Sequence, residues 1–313
     1  MKLDNRIIPI LVAAIGIYAI FLFISDYNVI TEKISNFKIN YLPLILLLVS
    51  ASWVPLIIKW HFLLKNSEIN IPLTKSIAVF FSGAAFEITP GQIGTLIKSQ
   101  LLKTSSNISR TKTVPIVIVE KIYDLIGAIL ASVIGIIILG MEFYLIIIAI
   151  SSLVVIFFFM YHKPASELFF DRITKLKFFS KYVENISEFN EVIKKSTNAK
   201  VATICILLAL TYWFMVSAAA YYTLIAFDVN ILDYLKVLAI YTTSSLLGAI
   251  SFIPGGIGIT EGSIAGLFTL NGIDVSTALI LSVMIRVLTL WYTVGVGFIA
   301  LKFTGGLSLK QNS

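Results

Sequence analysis

Long runs of apolar residues, separated by short polar segments, make up most of this 313-residue chain. An α-helix rises 1.5 Å per residue, so about 20 apolar residues cross the hydrocarbon core of a bilayer. Six runs are long enough to be continuous membrane spans, at residues 7–24, 41–64, 113–139, 143–161, 200–227 and 276–302. The pattern predicts an all-α, polytopic membrane protein.

Two further apolar blocks, 72–103 and 232–271, are each interrupted near the middle by a Pro-Gly pair. Each half of such a block reaches only about 21–26 Å into a core about 30 Å thick. Because neither half can cross comfortably, we predict that both blocks are re-entrant helical hairpins. Their tips are then expected to end near the middle of the membrane.

The distribution of charge supports this layout. The chain has 24 Lys and Arg against 17 Asp and Glu, and such an excess marks cytoplasmic segments in membrane proteins. If each hairpin returns to the side it entered from, one side holds Lys59, Lys65, Lys75, Lys103, Arg110, Lys112, the basic segment 162–200, Lys302 and Lys310. The other side holds Lys33, Lys38 and Lys236. The arrangement predicts a cell membrane protein with cytoplasmic N- and C-termini.

Composition excludes several other classes of protein. Charged residues are 13% of the chain and hydrophobic residues 58%, against about 25% charged in a typical soluble domain. No basic stretch is interleaved with aromatics, so nucleic acid is not an expected partner. The single cysteine, Cys205, and the distant His61 and His162 have no metal-ligand spacing, so neither a metal nor a cofactor is expected. Residues 1–313 are predicted to form one membrane domain, with 162–199 as a cytoplasmic amphipathic helical segment.

The two Pro-Gly breaks belong to a longer repeat. "PGQIG" at 90–94 returns as "PGGIG" at 254–258, an offset of 164 residues. Small residues precede both tips, and a charged residue follows each within a helical turn, Lys98 in one and Glu261 in the other. We therefore predict an inverted repeat, of about 41–139 and 200–302, whose hairpins point at each other. Many secondary transporters place their substrate site between such broken helices.

The tips are candidate binding elements because of their backbone. Proline has no N–H and glycine permits sharp turns, so a half-helix that begins at a tip directs unpaired N–H groups into the membrane. Such ends bind anions, phosphate above all, and facing starts at 91–93 and 255–257 would make a paired anion site. The candidate tip residues are Pro90, Gly91, Gly94, Pro254, Gly255, Gly256 and Gly258. The alternative is that both breaks are ordinary turns of helical hairpins.

Charged residues inside the apolar segments complete the candidate site. They are Glu87, Lys98, Glu120, Lys121, Asp124, Glu261 and Arg286. Each costs about 2.5–3.5 kcal/mol at mid-span, so these groups must be paired or hydrated. Lys121 and Asp124 are three residues apart and can pair locally, whereas Arg286 could meet Glu87, Glu120 or Glu261. Two hypotheses stay open: structural ion pairs that lock helices together, and a hydrated substrate path that uses the same groups.

The motifs resemble a known family. "SGAAFEITPGQIGTLIKSQLL", "VEKIYDLIGA", "IPGGIGITEGSIAGLFTLNGI" and "MIRVLTLW" are similar to the transmembrane, flippase-like region of lysylphosphatidylglycerol synthases, a family with stand-alone members in bacteria and archaea. The resemblance covers about residues 7–302. Two positions depart from the pattern: Thr95 stands where the family often has Glu, and Lys121 where it has Arg. Lysine keeps the charge but loses bidentate recognition of a phosphate or carboxylate.

The resemblance implies movement of polar lipids between leaflets, aminoacylated phosphatidylglycerol in the best-known members. No counterpart of the soluble aminoacyl-transfer domain is expected, so lysyl transfer, and enzymatic activity in general, are not expected of this chain. The leading hypothesis is a flippase whose partners are membrane lipids, with a homo-oligomer or a separate lipid-modifying enzyme as further possible partners.

Two alternatives to the flippase stay open. One is a carrier for a small anion or an ion-coupled solute. The other is an intramembrane enzyme or accessory factor in lipid or lipid-linked sugar metabolism, with Glu87 and Glu261 as an acid–base pair. A cavity open sideways to lipid favours the flippase, and a closed vestibule favours the solute carrier.

Overall fold

The computed structural model describes residues 33–138, 143–161 and 186–304, together with a few isolated positions. Every element in these ranges is a helix or a helical turn, which confirms the predicted all-α fold for this part of the chain. In chain order the helices are α1 (Leu42–Asn66), α2 (Leu73–Ala84), α3 (Ile97–Ser106), α4 (Arg110–Ile138), α5 (Phe143–Tyr161), α6 (Ile186–Ser196), α7 (Ala199–Ala226), α8 (Tyr234–Ile250), α9 (Ile259–Leu270), α10 (Val275–Arg286) and α11 (Tyr292–Phe303).

Three of the described helical stretches are long and apolar enough to cross a membrane. They are Ile39–Asn66, Ala199–Ala226 and Val275–Phe303, the last formed by α10 and α11 joined through the π-helical turn Val287–Trp291. These stretches coincide with three of the predicted spans. Helices α4 and α5 occupy two more, although α4 carries three charged residues near its middle. The predicted span 7–24 lies outside the described residues.

Both Pro-Gly sequences interrupt their helices as predicted. Helix α2 ends at Ala84 and α3 begins at Ile97, while α8 ends at Ile250 and α9 begins at Ile259. Helices α2 and α9 have 12 residues each, or about 18 Å, too short to cross a bilayer. We call the connecting segments tip 1 (residues 85–96) and tip 2 (residues 251–258). Their depth in a membrane stays a prediction.

The two predicted halves are interleaved rather than side by side. Helix α1 packs along α7, α2 packs against α11, and α8 packs against α4. The last two contacts bring backbones together: a methyl group added at Gly297 would lie 2.3 Å from the Ala85 nitrogen, and one at Gly135 would lie 2.4 Å from the Ala239 Cα. The hairpin of each half thus rests on the final helix of the other half.

Helix α6 is the described part of the predicted amphipathic segment. Its apolar side chains Phe189, Val192 and Ile193 are buried, and the helix packs against α4 and α1. The Tyr123 hydroxyl of α4 donates to the Ser196 carbonyl at 2.8 Å. The apolar face of α6 is therefore covered by the protein's own helices, and its position relative to a membrane surface stays a prediction.

Lys38 connects the start of α1 with the end of α7. Its backbone N–H donates to the Ala226 carbonyl at 2.9 Å, and its ammonium lies 2.7 Å from the Asp228 carboxylate. The hydrogen bond from Lys38 lowers the pKa of Asp228. Both side chains are largely exposed, so the pair contributes little to stability.

Candidate functional site

A cavity of about 660 Å³ lies where the two tips meet α1, α4, α7, α8 and the end of α10. Seven of the predicted site residues line it: Glu87, Gly91, Lys121, Asp124, Gly255, Gly256 and Arg286. The other seven do not: Pro90, Gly94, Lys98, Glu120, Pro254, Gly258 and Glu261. The structure therefore divides the predicted set into a cavity-facing group and a supporting group.

The tips contact each other in a reciprocal way. A methyl group at Gly91 would lie 3.2 Å from the Phe252 ring, and one at Gly255 would lie 3.6 Å from the Ile88 Cα. In the sequence, Phe252 follows Ile88, and Gly255 follows Gly91, by the same offset of 164 residues. The contact of Gly91 with Phe252 and the contact of Gly255 with Ile88 therefore repeat each other with the two halves exchanged. A two-fold axis relates contacts in this way.

Tip 1 is a tight turn rather than the start of an α-helix. Gly91 and Gln92 both have φ of 55°, in the left-handed region, and the Thr95 hydroxyl donates to the Gln92 carbonyl at 2.7 Å. Because left-handed residues cannot continue a right-handed helix, α3 begins only at Ile97. The helix start predicted at 91–93 therefore lies several residues later. Thr95, which departs from the family pattern, stabilises this turn.

The start of α9, which follows tip 2, is capped by a side chain of the helix itself. Gly255 has φ of 60°, and α9 begins at Ile259 rather than at 255–257. The Gly258 N–H, which precedes the first turn of α9, donates to Glu261 Oε2 at 2.7 Å. A side-chain carboxylate thus takes the position that an anionic ligand was expected to fill.

A buried ion pair attaches each of the two hairpins to the helix that follows it. Lys98 of α3 donates to Glu120 of α4, and Arg286 of α10 donates through Nε to Glu261 of α9 at 2.9 Å. The polarity is exchanged between the halves, since the cation is on the hairpin in one and on the following helix in the other. All four side chains are nearly or completely buried. Glu261 is thus the carboxylate that Arg286 meets, among the three considered from the sequence.

A third group of charges faces the cavity. Lys121 lies 3.5 Å from Glu87 and 3.7 Å from Asp124, so the predicted local pair is present but loose. Lys59 of α1 donates to Asp124 from the other side. The sequence listed Lys59 only among the cytoplasmic lysines and did not predict this pairing, in which its side chain is completely buried; the side of the membrane on which it lies stays a prediction. Its position inside the predicted span 41–64 was the signal that could have identified it.

Aromatic side chains form another part of the cavity wall. Tyr212, Trp213 and Tyr241 line the cavity, and the Trp213 indole donates to the Asp124 carbonyl at 3.2 Å. The rings of Trp213 and Tyr241 have centroids 6.3 Å apart. Nothing in the local sequence distinguishes these residues from packing aromatics, so sequence reasoning did not single them out.

The cavity reaches an exposed apolar surface at the tips. Ile93 of tip 1, Ile250 at the end of α8, and Phe252 and Ile253 of tip 2 line the cavity and are also exposed. Phe252 is 70% exposed, whereas its counterpart Ile88 is completely buried. We call these four side chains the portal. They join a wall of paired charges to a surface suited to hydrocarbon.

Comparison with known proteins places this geometry in a family. Residues 9–297 match the family described as the lysylphosphatidylglycerol synthase TM region. The chain belongs to this family. The match confirms the resemblance predicted from the tip motifs and covers both tips, the cavity and the charged residues of the two buried ion pairs and of the cavity wall.

Two archaeal relatives are also similar to the chain. A UPF0104 membrane protein of Pyrococcus horikoshii is 25% identical over 281 residues, covering 81% of this chain and 84% of the relative. A UPF0104 membrane protein of Methanothermobacter thermautotrophicus is 31% identical over 93 residues, covering 30% of this chain and 28% of the relative. Both relatives are named as membrane proteins, in agreement with the apolar helices of this family member.

Phe252 has an unfavourable backbone for a large side chain. Its φ is 53°, and the left-handed conformation costs a residue other than glycine about 1–2 kcal/mol. We expect Phe252→Gly to change the free energy of unfolding by no more than about 1 kcal/mol, because relief of this strain offsets the loss of a mostly exposed ring. Thermal or denaturant unfolding of the purified protein measures this.

Phe268→Ala is the matched control, since that ring is buried in the core and its loss is expected to cost about 3–5 kcal/mol. Equal destabilisation by the two changes would show that Phe252 is a packing residue. The expected difference would show that the strain at the portal is retained for another reason than stability.

Proposed function

We propose that this protein is a membrane lipid translocator, which moves a polar lipid headgroup between leaflets while the acyl chains stay in hydrocarbon. The observation that carries the proposal is the combination of paired charges and portal in one cavity. A headgroup needs a polar path, and its chains need an apolar opening, because charged groups are costly in hydrocarbon. The cavity has both, between the two tips.

The alternatives fit the site less well. A carrier for a water-soluble anion needs an enclosed polar vestibule, whereas here exposed apolar side chains of both tips line the cavity. An intramembrane acid–base pair of Glu87 and Glu261 requires both carboxylates to face the substrate. Glu261 is instead buried, bonded to Arg286 and to the Gly258 N–H.

The arrangement of the halves supports transport between two sides. The site lies between two broken hairpins, and the tip contacts repeat at the offset of 164 residues. In transporters built from inverted repeats, the substrate site lies between the repeats and is reached alternately from each side. We propose the same organisation here, with halves 41–139 and 200–302 and with both termini in the cytoplasm.

Reconstitution into vesicles tests the proposal. Fluorescent lipids with different headgroups are placed in both leaflets, and the fraction that a membrane-impermeant quencher reaches over time is measured. Protein-containing vesicles are expected to expose inner-leaflet lipid faster than empty vesicles. If no lipid in a broad panel moves faster while a water-soluble anion enters the vesicles, the solute carrier replaces the translocator.

A blocking variant connects any activity to the cavity. Ala249 lines the cavity and is exposed, so Ala249→Trp is expected to fill part of it and to slow lipid movement at least fivefold, on the order of 1 kcal/mol in the barrier. Leu270→Trp is the matched control, because Leu270 is highly exposed at the end of α9 and does not line the cavity. Equal slowing by both variants would contradict a path through this cavity.

A further inference from the structure

Lys121 is held less tightly than the other cations of the described intramembrane cluster. Lys59, Lys98 and Arg286 each donate a hydrogen bond to a carboxylate. Lys121 Nζ lies 3.5 Å from the Glu87 oxygen and 3.7 Å from the Asp124 oxygen, beyond the usual 2.7–2.9 Å of a charge-assisted hydrogen bond. Its side chain lines the cavity and is about a quarter exposed. An ammonium in this position can accept a new anionic partner without breaking a tight bond.

Glu87 is the matching loose anion. It belongs to tip 1, lines the cavity and is partly exposed, and its ion-pair distance to Lys121 is 3.5 Å. Asp124, the other carboxylate near Lys121, is bonded to the buried Lys59. Of the described charges that line the cavity, Asp124 and Arg286 have a tight bond to another charged side chain, whereas Glu87 and Lys121 are joined by a long contact of 3.5 Å.

The described charges around the cavity are balanced. Lys59, Lys98, Lys121 and Arg286 carry four positive charges, and Glu87, Glu120, Asp124 and Glu261 carry four negative charges. A bound headgroup with a net charge would leave one charge uncompensated in a region of low dielectric constant, which is unfavourable. A headgroup that carries one charge of each sign keeps the balance.

We propose that the Glu87–Lys121 pair opens to admit a zwitterionic headgroup. The anionic group of the headgroup, such as a phosphate, binds Lys121 Nζ, and its cationic group binds the Glu87 carboxylate. The single Glu87–Lys121 ion pair is thus replaced by two ion pairs between the protein and the headgroup, and the net charge of the cavity does not change. The tight pairs Lys98–Glu120 and Arg286–Glu261 hold the hairpins and take no part in the exchange. This substrate class rests on the proposed lipid translocation.

The first experiment compares three lipids in the vesicle assay. All carry the same acyl-chain fluorophore, so that the headgroups are intact: zwitterionic phosphatidylcholine, net-anionic phosphatidylglycerol and a net-cationic lipid. The wild type is expected to move phosphatidylcholine about tenfold or more faster than either of the others, the effect of one hydrogen bond to a charged group. Equal rates, or fastest movement of a net-charged lipid, would overturn the inference.

Charge variants then test the two residues. Glu87→Gln leaves one positive charge in excess. We expect it to raise the rate of phosphatidylglycerol movement relative to that of phosphatidylcholine by about tenfold. Lys121→Gln leaves one negative charge in excess and is expected to shift the rate ratio toward the cationic lipid. Lys121→Arg, which keeps the charge, is expected to retain the wild-type preference. If both neutral variants slow all three lipids to the same extent, the pair has only a structural role and the proposal fails.

A binding measurement separates this inference from the proposed transport. Titration calorimetry with the purified protein compares glycerophosphocholine, which is a free zwitterionic headgroup, with glycerol phosphate. If the protein binds the zwitterion selectively, Glu87→Gln abolishes that binding and no lipid moves, the result supports the site and contradicts the translocator. Uptake of the free headgroup would then indicate a solute carrier. Lipid movement with no preference between the two compounds would contradict the site alone.

Discussion

Lys98→Met is expected to lower the free energy of unfolding by about 3–5 kcal/mol, the cost of breaking a buried ion pair from one side. The Lys98 and Glu120 side chains are only 3% and 2% exposed, so the variant leaves a carboxylate without its cation. Methionine has a similar length, and the contacts of the Lys98 stem should therefore survive. Denaturant unfolding in detergent or lipid nanodiscs measures the change.

Two further variants distinguish charge from packing. Lys98→Met combined with Glu120→Met removes both charges and is expected to recover most of the lost stability, because a buried pair is often replaceable by apolar residues of similar volume. Lys121→Met is expected to cost about 1 kcal/mol or less, since its pairs are long and partly exposed. A double variant no more stable than Lys98→Met would show that the loss does not come from the unpaired Glu120 carboxylate.

Gly297→Ala is expected to destabilise the protein by about 1–3 kcal/mol and to slow lipid movement. The added methyl group would lie 2.3 Å from the Ala85 nitrogen and 2.8 Å from its Cα. Both atoms belong to the backbone of the first residue of tip 1, and the Ala84 carbonyl carbon at the end of α2 would lie 2.9 Å away. No side chain can move aside, so the end of α2 and the start of tip 1 must shift away from α11. Because tip 1 follows α2 directly, the shift would also displace Gly91 and its neighbours at the cavity.

Gly295→Ala is the control for this substitution. Gly295 is in the same helix, but a methyl group there would meet nothing within 4 Å. Alanine is favoured over glycine in a helix by about 1 kcal/mol, so this variant should be as stable as the wild type or more stable. Similar losses in both variants would mean that flexibility of α11, rather than its close contact with α2, determines the outcome.

The predictions made from the sequence succeeded where they depended on neighbouring residues. The helix breaks at residues 90 and 254 follow from proline and glycine alone, and the structure has them in place. The pairing of Lys121 with Asp124 follows from helical spacing. The role of Lys59 did not follow, because its partner Asp124 is 65 residues away and meets it only when α1 packs beside α4.

At the tips, too, neighbouring residues predicted part of the structure and more distant contacts decided the rest. Their turns were predictable, but the exact start of α9 was not, because it depends on the Glu261 carboxylate that caps Gly258. In the sequence, a charged residue follows each tip within a helical turn, Lys98 after the first and Glu261 after the second. In the structure these two residues have opposite charge, and each is neutralised by the next helix of its own half.

The amino-acid sequence was sufficient to establish a helical membrane protein, its family, its two broken hairpins and the presence of charges that require partners. The family follows from the resemblance of the tip motifs. The other properties depend on apolar run length, on backbone restrictions of proline and glycine, and on the cost of isolated charge, all of which are local. Which charges are structural and which face the cavity was decided by the packing of α1, α4, α8 and the tips. Burial and distance are properties of pairs far apart in the chain, and only the folded arrangement separates the tight pairs of Lys98 and Arg286 from the loose pair of Glu87 and Lys121.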